Sequence, residues 1–265
     1  MLKGYSAPHS PEGRANLVGP PPWHYVGDLL VIECWSEPAA AAAALPEGLE
    51  PHPDGGRMAA MFIDWQSCGR DGTELVDPSR SQYKEFFVTV NALWKGEEVA
   101  YCPYIWVDQD FALARGWIQG FPKKLGSIWM TRTFGIETRA DPGIREGAVY
   151  GATCAASERR MAEATVTLER PSETGPTHNA PPIVNARIFP RLEKGRHDEP
   201  AIHELVRSVA FDRAPASQIW EGAATLDFFD APHEELAALQ PVRVGKGYRF
   251  TIGYSVDDLE PVGEL

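Results

Sequence analysis

Two adjacent lysines, Lys123 and Lys124, follow Phe121 and Pro122 in the stretch Arg115-Gly-Trp-Ile-Gln-Gly-Phe-Pro-Lys-Lys-Leu-Gly126. A lysine amine attacks a carbonyl only when it is unprotonated. At the usual pKa of ~10.4 it is almost entirely ammonium at neutral pH. Apolar burial or a neighbouring cation lowers that value and makes the amine a Schiff-base nucleophile. An arbitrary Lys-Lys pair reads as a solvated turn. Here Phe121, Pro122, Leu125, Ile128 and Trp129 flank the pair with apolar surface, which favours a built site.

The preceding segment has the pattern needed to position such an amine. Phe111, Ala114 and Ile118 recur at helical spacing, which predicts a helix over about 109–119 with Asp108 as its N-cap. Gly120 suits the residue after the last turn, Pro122 forbids continuation, and Phe121 before it is pushed to extended geometry. Arg115 and Gln119 lie four apart and share one helix face. A guanidinium, an amide and an amine are thereby expected on neighbouring surfaces.

The rest of the chain is rich in strand patterns. Segments 28–35, 58–66, 85–94, 98–107, 127–134, 148–155, 162–168, 183–189, 216–228 and 242–256 read as strands. Helices are expected only at about 38–45, 109–119 and 232–239. The first contains the alanine run Ala39–Ala44 behind Pro38. Strands that do not alternate with helices argue against a doubly wound sheet. The expected fold is mainly β (α+β): large antiparallel sheets closing into a barrel or cone, with a few short helices. No linker divides the 265 residues, so one domain is expected over 1–265, with 1–24 as an irregular arm. Ser172 to Pro182 reads as a loop between strands.

Composition narrows the function classes. A net charge of −12 argues against nucleic acid and anionic membranes as partners. No apolar run reaches ~20 residues, and no signal peptide is read at the start, so a cytoplasmic location is expected. Cys34, Cys68, Cys102 and Cys154 are far apart and read as reduced packing residues. No metal-ligand spacing, Gly-rich phosphate loop or Gly-x-Ser-x-Gly elbow occurs, so no metal or other cofactor is expected.

Two further positions carry chemistry. Glu85 opens a strand and is either a surface acid or a cavity residue. On the last strand Tyr248, Phe250, Ile252, Tyr254 and Val256 share one face. A tyrosine there is usually a core residue with a satisfied hydroxyl.

Phe121-Pro-Lys-Lys-Leu-Gly126 resembles the active-site peptide of the acetoacetate decarboxylase superfamily. The likeness extends to Leu29–Glu50 with Leu45-Pro-Glu-Gly-Leu-Glu50, to Tyr83-Lys-Glu85, to Tyr101–Asp108, to Ile188-Phe-Pro190, to Trp220 and to Leu226-Asp-Phe-Phe-Asp230. It covers about residues 25–256. The resemblance implies a double-layered β-cone, a homo-oligomer (most plausibly a tetramer), Lys123 as Schiff-base lysine and Tyr254 as acid–base tyrosine, with Tyr248 in reserve. There are departures. Gly27 stands where the decarboxylases carry an arginine tied to decarboxylation, and Arg115-Gly-Trp117 replaces Gly-Arg-Glu. Arg115 and Gln119, eight and four residues before Lys123, resemble instead a divergent branch that binds 2-oxo acids such as pyruvate as Schiff bases. That branch runs aldol, dehydration or cyclisation chemistry without decarboxylating, with a C-terminal tyrosine or glutamate as proton-transfer group.

The implied function is condensation of pyruvate or a related 2-oxo acid with an aldehyde, followed by dehydration. Lys123, Tyr254 and Gln119 are the catalytic candidates; Arg115, Gln119 and Glu85 are the substrate-binding candidates. The alternatives are decarboxylation of a 3-oxo acid such as acetoacetate, and a non-catalytic small-molecule binding protein on the same scaffold.

Overall fold

Apolar residues run almost unbroken through Leu29–Cys34, Met58–Ile63 and Phe86–Val90, and a strand with that pattern must bury both of its faces. The computed structural model, which describes every residue except Glu137, Pro215 and Leu265, shows how this is done. The chain runs β1 (Trp23–Ser36), α1 (Pro38–Ala43), β2 (Glu50–Pro51), β3 (Arg57–Cys68), β4 (Gln82–Trp94), β5 (Glu97–Val107) and α2 (Asp110–Ile118). It continues through β6 (Lys123–Leu125), β7 (Ser127–Met130), β8 (Val149–Ala156), β9 (Arg159–Pro171), β10 (Ile183–Phe189), β11 (Ile202–Ala214), β12 (Trp220–Phe228) and β13 (Pro241–Glu264). Strand takes 52% of the chain and helix 10%, so the protein is mainly β.

Strands β1, β3, β4, β5, β10, β11 and β13 hydrogen-bond in that order, and β13 pairs back onto β1. This closes a ring of seven strands that is not a regular barrel. From β13 the sheet continues outward through β12, β9, β8 and β7, which form a second layer. The two-residue pleat divides the ring's side chains between two cores. Leu30, Ile32, Phe62, Phe86 and Val88 pack with Tyr150, Met161 and Val166 of the second layer. Leu29, Val31, Met61, Ile63, Phe87 and Ile105 pack inside the ring with Phe111 and Ala112 of α2.

Several expectations are corrected. The sheet is mixed, because β5 pairs in parallel with both β10 and β6. Strand β11 was not foreseen, because charged and apolar residues interleave irregularly along it. The expected strand 216–228 is confined to Trp220–Phe228, and the last strand runs on to Glu264. The expected helix at 232–239 is only a 3-10 turn at Leu236–Leu239. Asp108 does not cap α2. Its carboxylate accepts the Lys84 backbone N–H at 2.7 Å, and Gln109 takes the N-cap position without a side-chain cap. All four cysteines are free thiols, as the sequence led us to expect.

Candidate active site

The end of α2 is a Schellman turn. Gly120 adopts φ +83°, the Phe121 N–H donates to Gly116 O at 2.9 Å, and the Gly120 N–H donates to Trp117 O at 3.1 Å. The turn sends the chain straight into β6, whose Lys123 lies opposite Ile105 on β5. Because successive strand residues point to opposite faces, only one lysine of the pair enters the ring. Lys123 is buried inside. Lys124 points out and pairs with Glu234 at 2.6 Å with half of its side chain exposed.

Gly116 makes this approach possible. A Cβ built on it would sit 2.2 Å from Lys123 Cδ and 2.5 Å from Cε, so the lysine stem lies directly on the bare helix backbone. The Trp117 indole N–H donates to Lys123 O at 2.9 Å and holds the strand in place.

The Lys123 amine donates to Glu85 Oε2 at 2.6 Å, with both side chains 7% exposed. The Trp65 indole N–H donates to the other oxygen, Oε1, at 3.0 Å. The rings of Tyr83 and Phe121 lie 5.4 and 5.8 Å from the amine. Burial pushes the Lys123 amine below its ordinary value of 10.5. The Glu85 carboxylate opposes that shift and the Arg115 guanidinium adds to it.

Arg115 is buried on the next stretch of the interior. Its guanidinium lies 4.7 Å from the Tyr25 ring centre and 5.6 Å from those of Tyr83 and Phe111, and it donates to Ser67 Oγ at 3.1 Å. Burial works against its charge, but Tyr25, Tyr83 and Glu85 raise its pKa above the ordinary value. The side-chain oxygen of Gln119 accepts from Ser208 Oγ at 3.1 Å.

A cavity of about 280 Å³ adjoins this cluster, with Gln119, Phe121, Trp65 and Tyr254 in its lining. Leu29, Ile63, Phe87, Ile183 and Ile252 make its apolar walls, and Pro181 and Pro182 of the 172–182 loop close one side. Tyr254 stacks on Tyr25 at 5.1 Å, edge-on to Trp65. Burial, then Tyr25 and Glu85, push its hydroxyl well above the usual tyrosine range, so it is a neutral phenol at neutral pH.

The structure therefore brings together Lys123, Glu85, Arg115, Gln119 and Tyr254, all named from the sequence. Two placements differ from expectation. Of the five, Gln119 and Tyr254 line the cavity; Glu85 lies with Lys123 and Arg115 beside it, and accepts from the Trp65 indole, which does line it. Tyr248, the reserve tyrosine, lies elsewhere and donates to Glu33 at 3.2 Å. Sequence reasoning missed Trp65, Tyr25, Ser208 and Gly116. Trp65 alternates with Met61 and Ile63 on one face of β3, a signal that marks an inward residue but not its partner.

Comparison with known proteins shows the family. Residues 6–265 match the family described as acetoacetate decarboxylase (ADC), and the chain belongs to that family. Proteins of this family are enzymes of the lyase type. The enduracididine biosynthesis enzyme MppR is 35% identical, with a TM-score of 0.91 over 99% of this chain and 97% of that one. It was solved with the condensation product of pyruvate and imidazole 4-carboxaldehyde. Another MppR structure holds pyruvate, with a TM-score of 0.90 over 100% of this chain and 99% of that one. An acetoacetate decarboxylase-like enzyme from Sphingomonas wittichii RW1 is 26% identical with a TM-score of 0.90, covering 99% and 100% of the two chains. Acetoacetate decarboxylase from Legionella pneumophila subsp. pneumophila str. Philadelphia 1, at 18% identity and a TM-score of 0.77 over 100% and 97%, shares the fold. Comparison with curated protein sequences gave no match. Among the described residues no helix is long and apolar enough to cross a membrane.

Proposed function

We propose that this protein is a Schiff-base aldolase-dehydratase that condenses pyruvate or a related 2-oxo acid with an aldehyde. The observation that carries this reading is the buried Lys123 amine, held 2.6 Å from Glu85 beside a cavity and pushed below its ordinary pKa. The pyruvate-derived ligand seen in MppR supports the choice of substrate.

Glu85 takes the ammonium proton and leaves a neutral amine. The amine attacks C2 of the oxo acid, and Glu85 returns the proton to the departing hydroxyl, giving water and an iminium. Arg115, with guanidinium donors beyond its bond to Ser67, grips the substrate carboxylate, and Gln119 steadies it. The Glu85 carboxylate then removes a C3 proton to form the enamine, which attacks the aldehyde. Tyr254, a neutral phenol, protonates the new alkoxide. The resulting phenolate removes the second C3 proton, and the phenol protonates the leaving hydroxyl. Water adds to the unsaturated iminium and gives up a proton to Tyr254. The adduct collapses to the free unsaturated oxo acid and the lysine–glutamate pair.

Decarboxylation fits these residues less well. An arginine that grips the carboxylate stabilises the charged ground state and opposes loss of carbon dioxide. Gly27 leaves no space for an arginine, since even a Cβ there would lie 2.3 Å from the Trp65 ring.

Borohydride reduction with pyruvate, followed by peptide mass mapping, tests the reading. One reduced adduct is expected on Lys123. No adduct with any oxo acid, or one on Lys124 alone, overturns it. Acetoacetate supplied separately should release little carbon dioxide; rapid Lys123-dependent release with no condensation from pyruvate would establish the decarboxylase instead.

A further inference from the structure

The cavity is larger than a three-carbon oxo acid needs, and its lining contains one feature that the proposed chemistry leaves unused. Along β11, Ser208 and Ala210 point to the cavity wall, as the two-residue strand period requires. The same period would next bring in Asp212, an acid. It does not, because β11 bulges at this point. The register on β13 shifts between Phe211↔Ser255 and Ala214↔Gly253, and Asp212 sits at φ +48° in the left-handed region. Aspartate tolerates that region better than most residues. A bulge bends the strand and re-aims the side chains beyond it. Here it turns Asp212 to an outer surface groove and brings Arg213 to the cavity instead.

The exchange places a cation where the plain strand would place an anion. Arg213 is exposed to solvent, and no arginine–carboxylate pair among the described residues includes it. It faces Tyr254, whose pKa its charge helps to lower against the larger effect of burial. On a chain of net charge −12, a lone guanidinium at a cavity mouth creates a local positive field in a generally repulsive surface. The cavity that Arg213 shares with Gln119 and Tyr254 is walled mostly by apolar side chains, Ile183, Ile252 and Leu29 among them.

We infer that the second substrate is an aldehyde with an apolar body and a carboxylate at its far end, and that Arg213 reads that carboxylate. This rests on the aldolase reading above. The aldehyde carbon meets the enamine near Tyr254, the body fills the apolar walls, and the distal carboxylate pairs with the guanidinium as a fork. Arg213 is a specificity residue and takes no part in bond making.

The test compares 4-carboxybenzaldehyde with benzaldehyde at fixed pyruvate, in the wild type and in Arg213→Gln, Arg213→Glu and Arg213→Lys. Wild type should favour the carboxylated aldehyde in kcat/KM. Arg213→Gln should lose roughly tenfold to a hundredfold for it and almost nothing for benzaldehyde. Arg213→Glu should lose more, and Arg213→Lys should recover part. Equal losses for both aldehydes would mean that Arg213 serves the oxo acid, and would overturn the inference. So would wild-type preference for benzaldehyde. Borohydride trapping of pyruvate on Lys123 in each variant keeps the two readings apart: trapping reports the imine chemistry, and the aldehyde ratio reports Arg213. Binding of 4-(hydroxymethyl)benzoate, followed by tryptophan fluorescence, needs no turnover. Weakening in Arg213→Gln supports the anion subsite, and unchanged affinity overturns it.

Discussion

Two buried glutamates face the interior of the same ring, and they differ in what surrounds them. Glu33 on β1 accepts the Thr177 N–H at 2.5 Å, the Thr177 hydroxyl at 3.0 Å, the His178 N–H at 3.1 Å and the Tyr248 hydroxyl at 3.2 Å. Glu85 on β4 accepts one indole N–H and the Lys123 amine. Donors that do not give up their protons near neutral pH saturate Glu33, so it works as a staple holding the 172–182 loop. That loop supplies Asn179–Pro182 to the cavity wall. Glu85 faces a donor that can be deprotonated. The difference shows that burial alone does not make a carboxylate reactive. What matters is whether its partner can exchange a proton with it.

The pair of tyrosines on β13 repeats the contrast. Tyr248 is tied to Glu33, whereas Tyr254 stacks on Tyr25 beside the cavity. These comparisons can be broken by experiment. The largest effect is expected at Lys123. Lys123→Met should abolish both the reduced pyruvate adduct and condensation. It should also destabilise the fold by about 3–5 kcal/mol in urea unfolding, because Glu85 is left buried without its cation. Lys123→Met combined with Glu85→Leu should regain most of that stability while remaining inactive. Equal instability of the single and double variants would show that the ion pair does not govern the site's energetics.

Tyr254→Phe should leave imine trapping intact and lower condensation by roughly 10²–10⁴-fold. Tyr248→Phe should leave both nearly unchanged and cost about 1–3 kcal/mol of stability, because Glu33 loses one of its donors. A matching loss of activity in the two variants would erase the distinction between them.

The pH dependence of imine formation sharpens the comparison further. The rate should rise with pH as Lys123 deprotonates, with a midpoint below 10.5, since burial lowers its pKa. Glu85 raises that pKa, so Glu85→Gln should move the midpoint to lower pH. Arg115 lowers it, so Arg115→Gln should move the midpoint to higher pH. Glu33→Gln should move it in neither direction. Stability follows the same sign. The unfolded chain holds a proton on Lys123 more tightly than the folded one, so stability contributed at this residue rises with pH between the folded value and 10.5.

Gly116→Ala gives a smaller effect, of about 1–3 kcal/mol in overpacking. The new Cβ would displace the Lys123 stem, so the yield of reduced adduct should fall more than the melting temperature implies. An unchanged yield would show that the lysine can reach its position by another path.

Much of the site was legible because its residues are close in sequence. Helical spacing links Arg115 to Gln119, and the Gly120–Pro122 stop delivers Lys123 just beyond them. Local backbone chemistry enforces each of these relations. The two-core division of the ring strands was partly legible in the alternation of Phe86, Val88 and Val90. Strand β11 was not, because its polar and apolar residues follow no clean period and its pairing with β13 shifts register at three points. The cap at Asp108 failed for a tertiary reason: the Lys84 backbone on the neighbouring strand took the carboxylate first.

The sequence by itself determined that one short segment carries a helix stop and a lysine pair, because turn geometry and strand pleat act over a few residues. It also determined that the chain would be rich in β-structure with few helices. Only the tertiary structure decided which lysine turns inward, because that depends on how β6 registers against β5. It alone decided that Glu85 and Trp65, distant in the chain, close around the amine. It also decided that Arg213, rather than Asp212, reaches the cavity. These outcomes depend on pairing between strands far apart in sequence, and one extra residue in a register exchanges the side chains on its two faces.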